Sequence, residues 1–372
     1  MKLSLLEENL SLALTHTSRF VASKLQLPIL NHILFSTDNG RLKLSATNLD
    51  LAINYWIGAK IETEGSFCLP AKEITEFVSY LSPGPLTLSL KDTNLLTLTS
   101  PKTETNFACL PPSDFPEIPS LDPKTAFEID LPLLTQAINQ IAFAAAIDDS
   151  RPVLTAILCT FSSDNLTLVA TDGFRLSLKS IKLVNPLSLN DQAQTFLIPA
   201  KSLQEIVKLA RASKKIKIGL TTDSHQIVFV LDDLELVSRL IDGEYPDYHR
   251  IVPEAGATKV YLNRDEFSQA IKESSVFARQ SANVVKLSLK TNSIELSANA
   301  PQIGQNKVTV DAKIEGEPLE IAFNYKFISD FLAICNGDEV VLELNEPLSP
   351  GLFRDQATPD LTHIIMPVRI QD

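Results

Sequence analysis

The sequence predicts an α+β protein built from three copies of one domain. Short segments recur in the same order at a spacing near one third of the 372 residues. Within each copy, hydrophobic residues alternate between the period of a helix and the period of a strand. The composition, 44% hydrophobic and 21% charged, is that of chains that fold around packed cores. Together these observations favour three similar globular domains in one chain.

Three anchor segments define the repeat. The first reads LSLAL, LTQAI and FSQAI, at residues 10–14, 134–138 and 267–271. The second reads LKLSATNLDL, LTLVATDGFRL and IELSANAPQI, at residues 42–51, 166–176 and 294–303. The third reads FCLPAKEITEFV, FLIPAKSLQEIV and IAFNYKFISDFL, at residues 67–78, 196–207 and 321–332. The period is too long for the unit of a solenoid, so each copy is predicted to be a domain.

Linkers rich in proline, glycine and small residues separate the copies. They are PEIPSLDPKTA at 116–126 and VPEAGATK at 252–259. The residues around them also repeat, as DFPEIP and EYPDYHRIVP, with Pro116 and Pro246 separated by 130 positions. The predicted domains are therefore residues 1–121, 122–253 and 254–372.

Each copy is predicted to hold two helices and roughly eight short strands. The first helix of each copy carries one apolar face, formed by Leu6, Leu10, Ala13, Leu14 and Thr17, by Leu134, Ala137, Ile138, Ile141 and Ala145, and by Phe267, Ala270, Ile271 and Ser274. A second helix follows the third anchor, where Pro199 suits a first turn. Alternating segments such as NLTLVATD indicate half-buried strands. Antiparallel sheet with helices on one face is the expected architecture.

The sequence contains no motif of an enzyme or a metal site. Its twelve glycines form no dinucleotide fingerprint, P-loop or nucleophile elbow. Its four cysteines and five histidines lack ligand spacing. The pairs Asp148–Asp149 and Asp232–Asp233 are expected to be solvated carboxylates in turns, since neighbours in extended chain point apart. No catalytic residue, cofactor or metal is predicted.

Hydrophobic runs and cysteine usage predict a cytoplasmic protein with reduced thiols. The longest apolar run, Ile141–Ile147, is too short to span a bilayer. Glu7 and Glu8 interrupt the apolar residues near the amino terminus, so no signal peptide is expected. No membrane partner is predicted.

Positive charge is concentrated after Pro199, although the net charge of the chain is −12. This segment carries one acid, Glu205, and five basic residues, Lys201, Lys208, Arg211, Lys214 and Lys215. On a continuous helix Lys201, Lys208, Arg211 and Lys215 share one side. Other basic residues lie on or beside repeat helices, namely Lys24, Lys72, Arg151, Arg264, Lys272 and Arg279. The pattern fits a solvated basic face, or a surface that attracts a polyanion while an acidic exterior repels it.

The chain resembles the family of the bacterial DNA polymerase III beta subunit, the sliding clamp. The resemblance covers the whole chain and rests on five motifs, LPIL (27–30), ATDGFRL (170–176), FLIPAK (196–201), DGEYPDY (242–248) and MPVR (366–369). It implies three clamp domains, and two chains joined head to tail in a ring with sheets outside and helices lining a central hole. A bacterial, noncatalytic clamp of this kind encircles duplex DNA and tethers the replicative polymerase.

The resemblance also implies three sets of site residues. Sequence-independent DNA contact would use Lys24, Lys72, Arg151, Lys201, Lys208, Arg211 and Lys215. A pocket for the short Leu/Phe motifs of the clamp loader, the polymerase catalytic subunit and repair proteins would be apolar with a few basic residues at its rim, and would comprise Leu154, Thr171, Gly173, Phe174, Arg175, Leu176, Pro246, Arg250, Ile251, Ile364, Met366, Pro367, Val368 and Arg369. The dimer interface would place Phe107 against Val276 and Phe277 of the second chain.

Two other classes of function stay open at the level of sequence. A cytosolic acidic hydrolase built on three fused domains would need a deep cleft with perturbed carboxylates. A purely structural ring would have no contact with nucleic acid. Retention on circular but not on linear DNA distinguishes the clamp from both.

Overall fold

The computed structural model describes residues 1–22, 27–92, 94–183, 186–187, 193–210, 213–253 and 256–369. In these residues the chain forms six α-helices and twenty-five β-strands, with two helices in each repeat. None of these helices has both the length and the apolar character needed to cross a membrane.

The first repeat holds helices α1 (Glu7–Thr17) and α2 (Ala71–Ser79). Its nine strands are β1 (Lys2–Leu6), β2 (His32–Asp38), β3 (Arg41–Thr47), β4 (Leu51–Gly58), β5 (Lys60–Thr63), β6 (Ser66–Pro70), β7 (Pro85–Asp92), β8 (Leu95–Thr99) and β9 (Glu104–Ala108).

The second repeat holds helices α3 (Leu131–Ile141) and α4 (Ala200–Leu209). Its eight strands are β10 (Phe127–Asp130), β11 (Ala156–Phe161), β12 (Asn165–Thr171), β13 (Arg175–Lys182), β14 (Gln194–Pro199), β15 (Lys215–Leu220), β16 (Gln226–Leu231) and β17 (Leu234–Arg239).

The third repeat holds helices α5 (Arg264–Ala278) and α6 (Tyr325–Ile334). Its eight strands are β18 (Thr258–Asn263), β19 (Val284–Leu289), β20 (Ser293–Ala300), β21 (Gly304–Glu315), β22 (Glu320–Asn324), β23 (Glu339–Leu344), β24 (Gly351–Asp355) and β25 (Leu361–Ile365). Asn263 and Asn324 cap the two helices, each accepting a hydrogen bond from a backbone N–H of the first turn.

The predicted apolar faces of the helices are buried, with one exception. Leu10, Ala13 and Leu14 of α1 are fully buried, as are the matching residues of α3 and α5. Leu6 is not part of this face, because it is the last residue of β1 and half of its surface is exposed. Each helix therefore covers a sheet with one side and leaves its other side to solvent.

The strands are antiparallel and form sheets of five, eight and twelve strands. The eight-stranded sheet continues from the first repeat into the second through β4 and β17, where Ile53 lies opposite Leu236. We call this pairing the first seam. The twelve-stranded sheet continues from the second repeat into the third through β13 and β25, where Ser177 lies opposite His363. We call this pairing the second seam.

The contacts group the chain into two compact units. One contains Met1–Leu134 and Glu205–Leu240, with the five- and eight-stranded sheets. The other contains Thr135–Gln204 and Ile241–Asp372, with the twelve-stranded sheet. The second repeat contributes to both units because β17 and β13 pair with different neighbours.

Candidate partner-docking and DNA-binding sites

The turn between β12 and β13 presents an exposed aromatic ring. Thr171 Oγ1 accepts the N–H of Gly173 at 3.0 Å and donates to the Arg175 carbonyl at 2.6 Å. Asp172 Oδ1 accepts the N–H groups of Phe174 and Arg175 at 2.9 and 3.0 Å. Gly173 has φ +92°, a conformation that glycine adopts without the penalty of a Cβ atom. The turn is thus held by its own polar groups, and the Phe174 side chain is 61% exposed.

Arg175 is a buried structural residue, whereas the sequence led us to expect a basic residue at the rim. Its Nε and Nη1 contact Asp172 Oδ2 at 3.0 Å and Asp330 Oδ2 at 2.6 Å. Its Nη2 donates to the Phe143 carbonyl at 2.6 Å. The guanidinium lies over the rings of Phe143 and Phe327, at 5.2 and 4.6 Å. The expectation fails because the planar fork of arginine is satisfied on all sides inside the fold.

An apolar cluster lies beneath this turn at the second seam. Leu176 and Ile364 are opposite one another and only 2% and 1% exposed. They pack with Val169 and Leu352, and Tyr245, Tyr248 and Val252 pack against this cluster from the segment that leads into the linker. Tyr245 donates to the Val169 carbonyl at 3.3 Å, and burial raises the pKa of its hydroxyl. The cluster therefore forms the floor of the predicted pocket and not its exposed surface.

The exposed part of the predicted pocket is made by the turn, the segment that leads into the linker, and the C-terminal residues. Met366 N–H donates to the Phe174 carbonyl at 2.8 Å, and Val368 N–H donates to the Ala322 carbonyl at 2.8 Å. These bonds hold the chain after β25 between β13 and β22. Exposed members of the predicted set are Gly173, Phe174, Pro246, Arg250, Ile251, Met366 and Arg369; half-buried members are Pro367 and Val368; buried members are Leu154, Thr171, Arg175, Leu176 and Ile364.

Arg151 lies against the same turn. Its Nη2 donates to the Asp172 carbonyl at 3.0 Å. A Cβ atom placed on Gly173 would be 3.0 Å from Arg151 Nη1, so the glycine makes room for the guanidinium. The structure thus brings a residue predicted to face DNA beside residues predicted to bind partners. Contact of Arg151 with DNA stays a prediction.

The basic residues of α4 take part in a cluster that the sequence did not reveal. Lys201 and Lys208 are exposed on this helix. Glu205 Oε1 accepts hydrogen bonds from Lys208 Nζ at 2.8 Å and from Arg19 Nη2 of the first repeat at 2.9 Å. Arg19 is distant in sequence, and only the fold brings it to this helix. Lys72 is exposed on α2, while Lys24 and Arg211 fall outside the described residues.

Lys215 does not continue the basic helix, so this part of the prediction is wrong. Helix α4 ends at Leu209, and Lys215 is the first residue of β15. The alternation of KIKIGL buries Ile216 and Ile218 against the core, which a strand allows and a longer helix would not. Lys215 Nζ is 2.6 Å from Glu128 Oε1, and this hydrogen bond raises the pKa of the lysine.

The predicted interface residues lie on two surfaces that are accessible to a second chain. Phe107 is half-buried on β9, the edge strand of the five-stranded sheet, and its ring meets that of Phe77 edge-on at 5.3 Å. Val276 is 54% exposed on α5, and Phe277 is half-buried beside it. A Cβ atom on Gly304 of β21 would lie 4.0 Å from the Phe277 ring.

The titratable groups of the described residues form no catalytic arrangement. No group of three or more His, Cys, Asp or Glu side chains there is placed to hold a metal ion. Burial raises the pKa of the Cys68 thiol to about 12, and likewise raises the pKa of the other three thiols, which disfavours the nucleophilic thiolate. Surface hydrogen bonds from Lys2, Ser150 and Thr221 lower the pKa of the carboxyls of Glu62, Asp148 and Asp223.

Three family models match successive thirds of the chain. They describe the N-terminal, central and C-terminal domains of the DNA polymerase III beta subunit and match residues 1–119, 128–247 and 249–369. The beta sliding clamp of Bacillus subtilis is 31% identical over 99% of this chain and 100% of its own. That of Synechococcus elongatus is 29% identical over 100% of both chains.

Solved structures agree with these relatives. The DNA polymerase sliding clamp of Bacillus subtilis superposes with a TM-score of 0.94 at 30% identity, over 100% of both chains. The DNA polymerase III beta subunit of Thermotoga maritima superposes with a TM-score of 0.91 at 29% identity, again over 100% of both. The repeat, the sheets and the full-length likeness lead to one conclusion. The chain belongs to the beta sliding clamp family and consists of three clamp domains.

Proposed function

We propose that two copies of this chain close head to tail into a ring that encircles duplex DNA. As a member of the beta sliding clamp family, the chain is a noncatalytic processivity subunit of a DNA polymerase. The observation that carries the closed ring is a pair of matching sheet edges, β9 and β21. The ring would act in the bacterial cytoplasm, where the chromosome lies.

The repeat pairs equivalent strands at each seam. Strand β4 of the first repeat pairs with β17, the last strand of the second, and β13 of the second pairs with β25, the last strand of the third. The remaining equivalent strands are β21 of the third repeat and β9 of the first. Strand β9 is the edge of its sheet, and residues 304–308 of β21 have β20 on one side only in the described part of the chain. A second copy would satisfy both edges.

The register of this third seam follows from the other two. An alanine recurs at the same place in the second anchor of each repeat, as Ala46, Ala170 and Ala298. Asn306 is equivalent to Ile53 and Ser177, because each lies opposite this alanine in its own hairpin. Thr105 is equivalent to Leu236 and His363, because the three lie opposite Leu98, Phe229 and Phe353 on the preceding strand of each repeat. Leu236 and His363 in turn lie opposite Ile53 and Ser177. The proposed pairing therefore sets Thr105 opposite Asn306.

This register matches side chains as well as backbones. It places Phe107 opposite Gly304, where no side chain competes and the ring of Phe277 lies nearby. Opposite residues of antiparallel strands point to the same face. It also places Glu104 opposite Lys307, so opposite charges meet. A paired edge with aromatic contact and an ion pair supports a specific but separable interface.

DNA would be held through its phosphates without sequence preference. Candidate contacts are the described helix residues Lys72, Lys201 and Lys208, with Lys24 and Arg211 as further predictions. Phosphate contacts position a duplex but carry no sequence information. The net charge of −12 disfavours binding of DNA to the remaining surface. Weak contacts inside a closed ring would allow sliding while topology supplies retention.

Partner docking is proposed at the second seam. The exposed Phe174 and Met366 and the apolar floor beneath them suit a short peptide with Leu and Phe anchors. We propose the clamp loader, the polymerase catalytic subunit and repair proteins as sources of such peptides. Each anchor would contribute about 1.5–3 kcal/mol. Backbone hydrogen bonds and the rim arginines would add to this and ordering of the peptide would subtract from it, so we expect about micromolar affinity, on the order of −8 kcal/mol. Two pockets in a dimer would let two partners bind at once.

The ring is tested by loading the protein on nicked circular DNA and then cutting the circle. Retention on circles with loss after linearisation is expected of a closed ring. The double variant Phe107→Glu with Phe277→Glu is the matched control, expected to be a folded monomer that circles do not retain. An intact dimer of that variant in sedimentation would refute the interface. Equal retention on circular and linear DNA would refute encirclement.

A further inference from the structure

The first seam carries an apolar cluster equivalent to the floor of the predicted partner pocket. Ala52, Val228 and Val237 form this cluster, and Ile118 and Leu121 of the linker pack against it. By the seam registers, Ala52 and Val237 correspond to Leu176 and Ile364 of the second seam. The cluster is therefore the same structural position in the preceding repeat.

A small cavity opens above this cluster. Its lining includes Thr47, Leu49, Asp50, Pro116, Glu117 and Gln226. Thr47, Leu49 and Pro116 are the repeat equivalents of Thr171, Gly173 and Pro246. The cavity volume of about 90 Å³ is that of roughly three water molecules, enough for one aliphatic side chain.

The lip of the cavity is formed by a residue in a strained conformation. Leu49 has φ +76°, in the left-handed region, at the position where the second repeat has Gly173. This conformation is costly for a leucine, and such strain is concentrated at functional sites. The side chain is 47% exposed, and the conformation is held by the turn, in which Leu49 N–H donates to Thr47 Oγ1 at 3.0 Å.

The polar groups at the cavity point to a ligand that donates hydrogen bonds and carries positive charge. Gln226 Oε1 is buried and accepts no hydrogen bond from the described residues. Asp50 and Glu117 are exposed in the lining. The backbone N–H of Arg239 donates to the Asp50 carbonyl at 2.9 Å, which ties the lip to the end of β17. At the second seam the exposed rim carries positive charge instead, from Arg250 and Arg369.

We propose that the first seam is a second peptide-docking site, which takes an aliphatic side chain followed by a basic residue of a partner protein. The aliphatic group fills the cavity above Ala52 and Val237. The basic residue or its backbone N–H satisfies Gln226 Oε1 and lies near Asp50 and Glu117. This inference rests on the peptide docking proposed for the second seam, from which the equivalence is drawn.

The test uses the full chain with labelled Ala, Val, Leu and Ile methyl groups and two capped probe peptides. Ser-Gly-Leu-Lys-Gly-Ser is expected to shift the methyl signals of Ala52 and Val237. Ser-Gly-Leu-Glu-Gly-Ser is expected to bind at least about fivefold more weakly than the Leu-Lys peptide, because it loses about one hydrogen bond or ion pair. Gln226→Met and Glu117→Gln should each weaken the first peptide, while Glu64→Gln, an exposed acid elsewhere in the first repeat, should not.

Two results would overturn the proposal. One is the absence of shifts at Ala52 and Val237 with the Leu-Lys peptide, and the other is equal binding of both probes. Ala52→Leu, which introduces the side chain found at the equivalent position 176, should block the cavity and abolish binding. A Gln-Leu-x-Leu-Phe peptide is measured separately at the methyl signals of Leu176 and Ile364. Its failure there would refute docking at the second seam and leave the Leu-Lys result to decide the first.

Discussion

His363 lies directly opposite Ser177 across the second seam, with its Nδ1 2.7 Å from Ser177 Oγ. The imidazole stacks on Phe331 at 5.4 Å and is fully buried. Its Nε2 has no hydrogen-bond partner among the described residues. Burial, together with the nearby Arg175 charge, lowers the pKa of His363 to about 3. The second seam is therefore built around a neutral histidine.

This histidine should make the stability of the protein depend on pH. Between pH 6.5, the ordinary pKa of the ring, and about 3, the unfolded chain binds a proton that the folded chain excludes. The free energy of unfolding therefore rises with pH in this window, by at most about 1.4 kcal/mol per unit from this residue. The double variant His363→Phe with Ser177→Ala should show a smaller change in the free energy of unfolding between pH 4.5 and 6.5, measured by urea titration at each pH. An unchanged slope would show that other groups dominate.

Replacing Arg175 should destabilise the fold. Arg175→Met leaves Asp172 and Asp330 without their cation and the Phe143 carbonyl without its donor. We expect a loss of about 3 kcal/mol in the free energy of unfolding, typical of breaking a buried ion pair. Arg250→Met is the matched control, since that side chain is 86% exposed and should change stability by about 0.5 kcal/mol or less. Similar curves for both variants in urea would mean that Arg175 is not a structural residue.

A charge exchange tests the proposed register of the dimer. Lys307→Glu alone would set two acids opposite one another, and Glu104→Lys alone would set two bases opposite one another. Each should weaken dimerisation up to about fivefold in sedimentation, since an exposed pair contributes about 1 kcal/mol or less. The double exchange should restore it, and Lys290→Glu should have no effect. A double exchange that is no better than the single variants would exclude this register.

DNA retention should respond in opposite directions to two changes, one to the predicted basic residues Lys201, Lys208 and Arg211 and one to Glu205. The triple variant Lys201→Glu, Lys208→Glu and Arg211→Glu should shorten residence on circular DNA. It should also reduce the dependence on salt, because each lost phosphate contact lowers the slope of log affinity against log salt concentration by about 0.9. Glu205→Gln should lengthen residence, because it removes the negative charge that pairs with Arg19 and Lys208 and so raises the positive potential there. Lys217→Glu, on strand β15, is the control. If all variants stay on circular DNA as long as the wild type does, the basic residues of α4 face solvent and do not contact DNA.

Variants at the surface of the pocket and at its floor should have different effects on partner binding and on stability. Met366→Ala should cost about 1 kcal/mol or more in calorimetry with a Gln-Leu-x-Leu-Phe peptide and leave stability unchanged. Leu176→Ala should also lower the free energy of unfolding by about 2–5 kcal/mol, because its side chain is buried. Deleting residues 366–372 should abolish binding while sedimentation still shows a dimer. Tyr80→Ala, exposed in the first repeat, is the control, and unchanged affinity in both point variants would place the site elsewhere.

Several features of the fold could be predicted because they depend on local pattern. The three anchors and the apolar faces of α1, α3 and α5 are periodic in sequence, and the core selects the same period in space. Lys215 shows the limit of such reasoning. Its charge extends the basic series of α4, but Ile216 and Ile218 need the alternation of a strand. The burial of two side chains outweighs the charge pattern.

The repeat, the fold class, the family and the absence of catalytic motifs can be read from the amino-acid sequence alone, because each depends on the order and spacing of residues along the chain. Only the tertiary structure decided that Arg19 shares Glu205 with Lys208, that Arg175 is enclosed by Phe143 and Phe327, and that His363 meets Ser177. It also revealed that the cluster of Ala52 and Val237 matches that of Leu176 and Ile364. Such relationships join residues distant in the chain, and burial and hydrogen-bond satisfaction select them only when the strands pair across a seam.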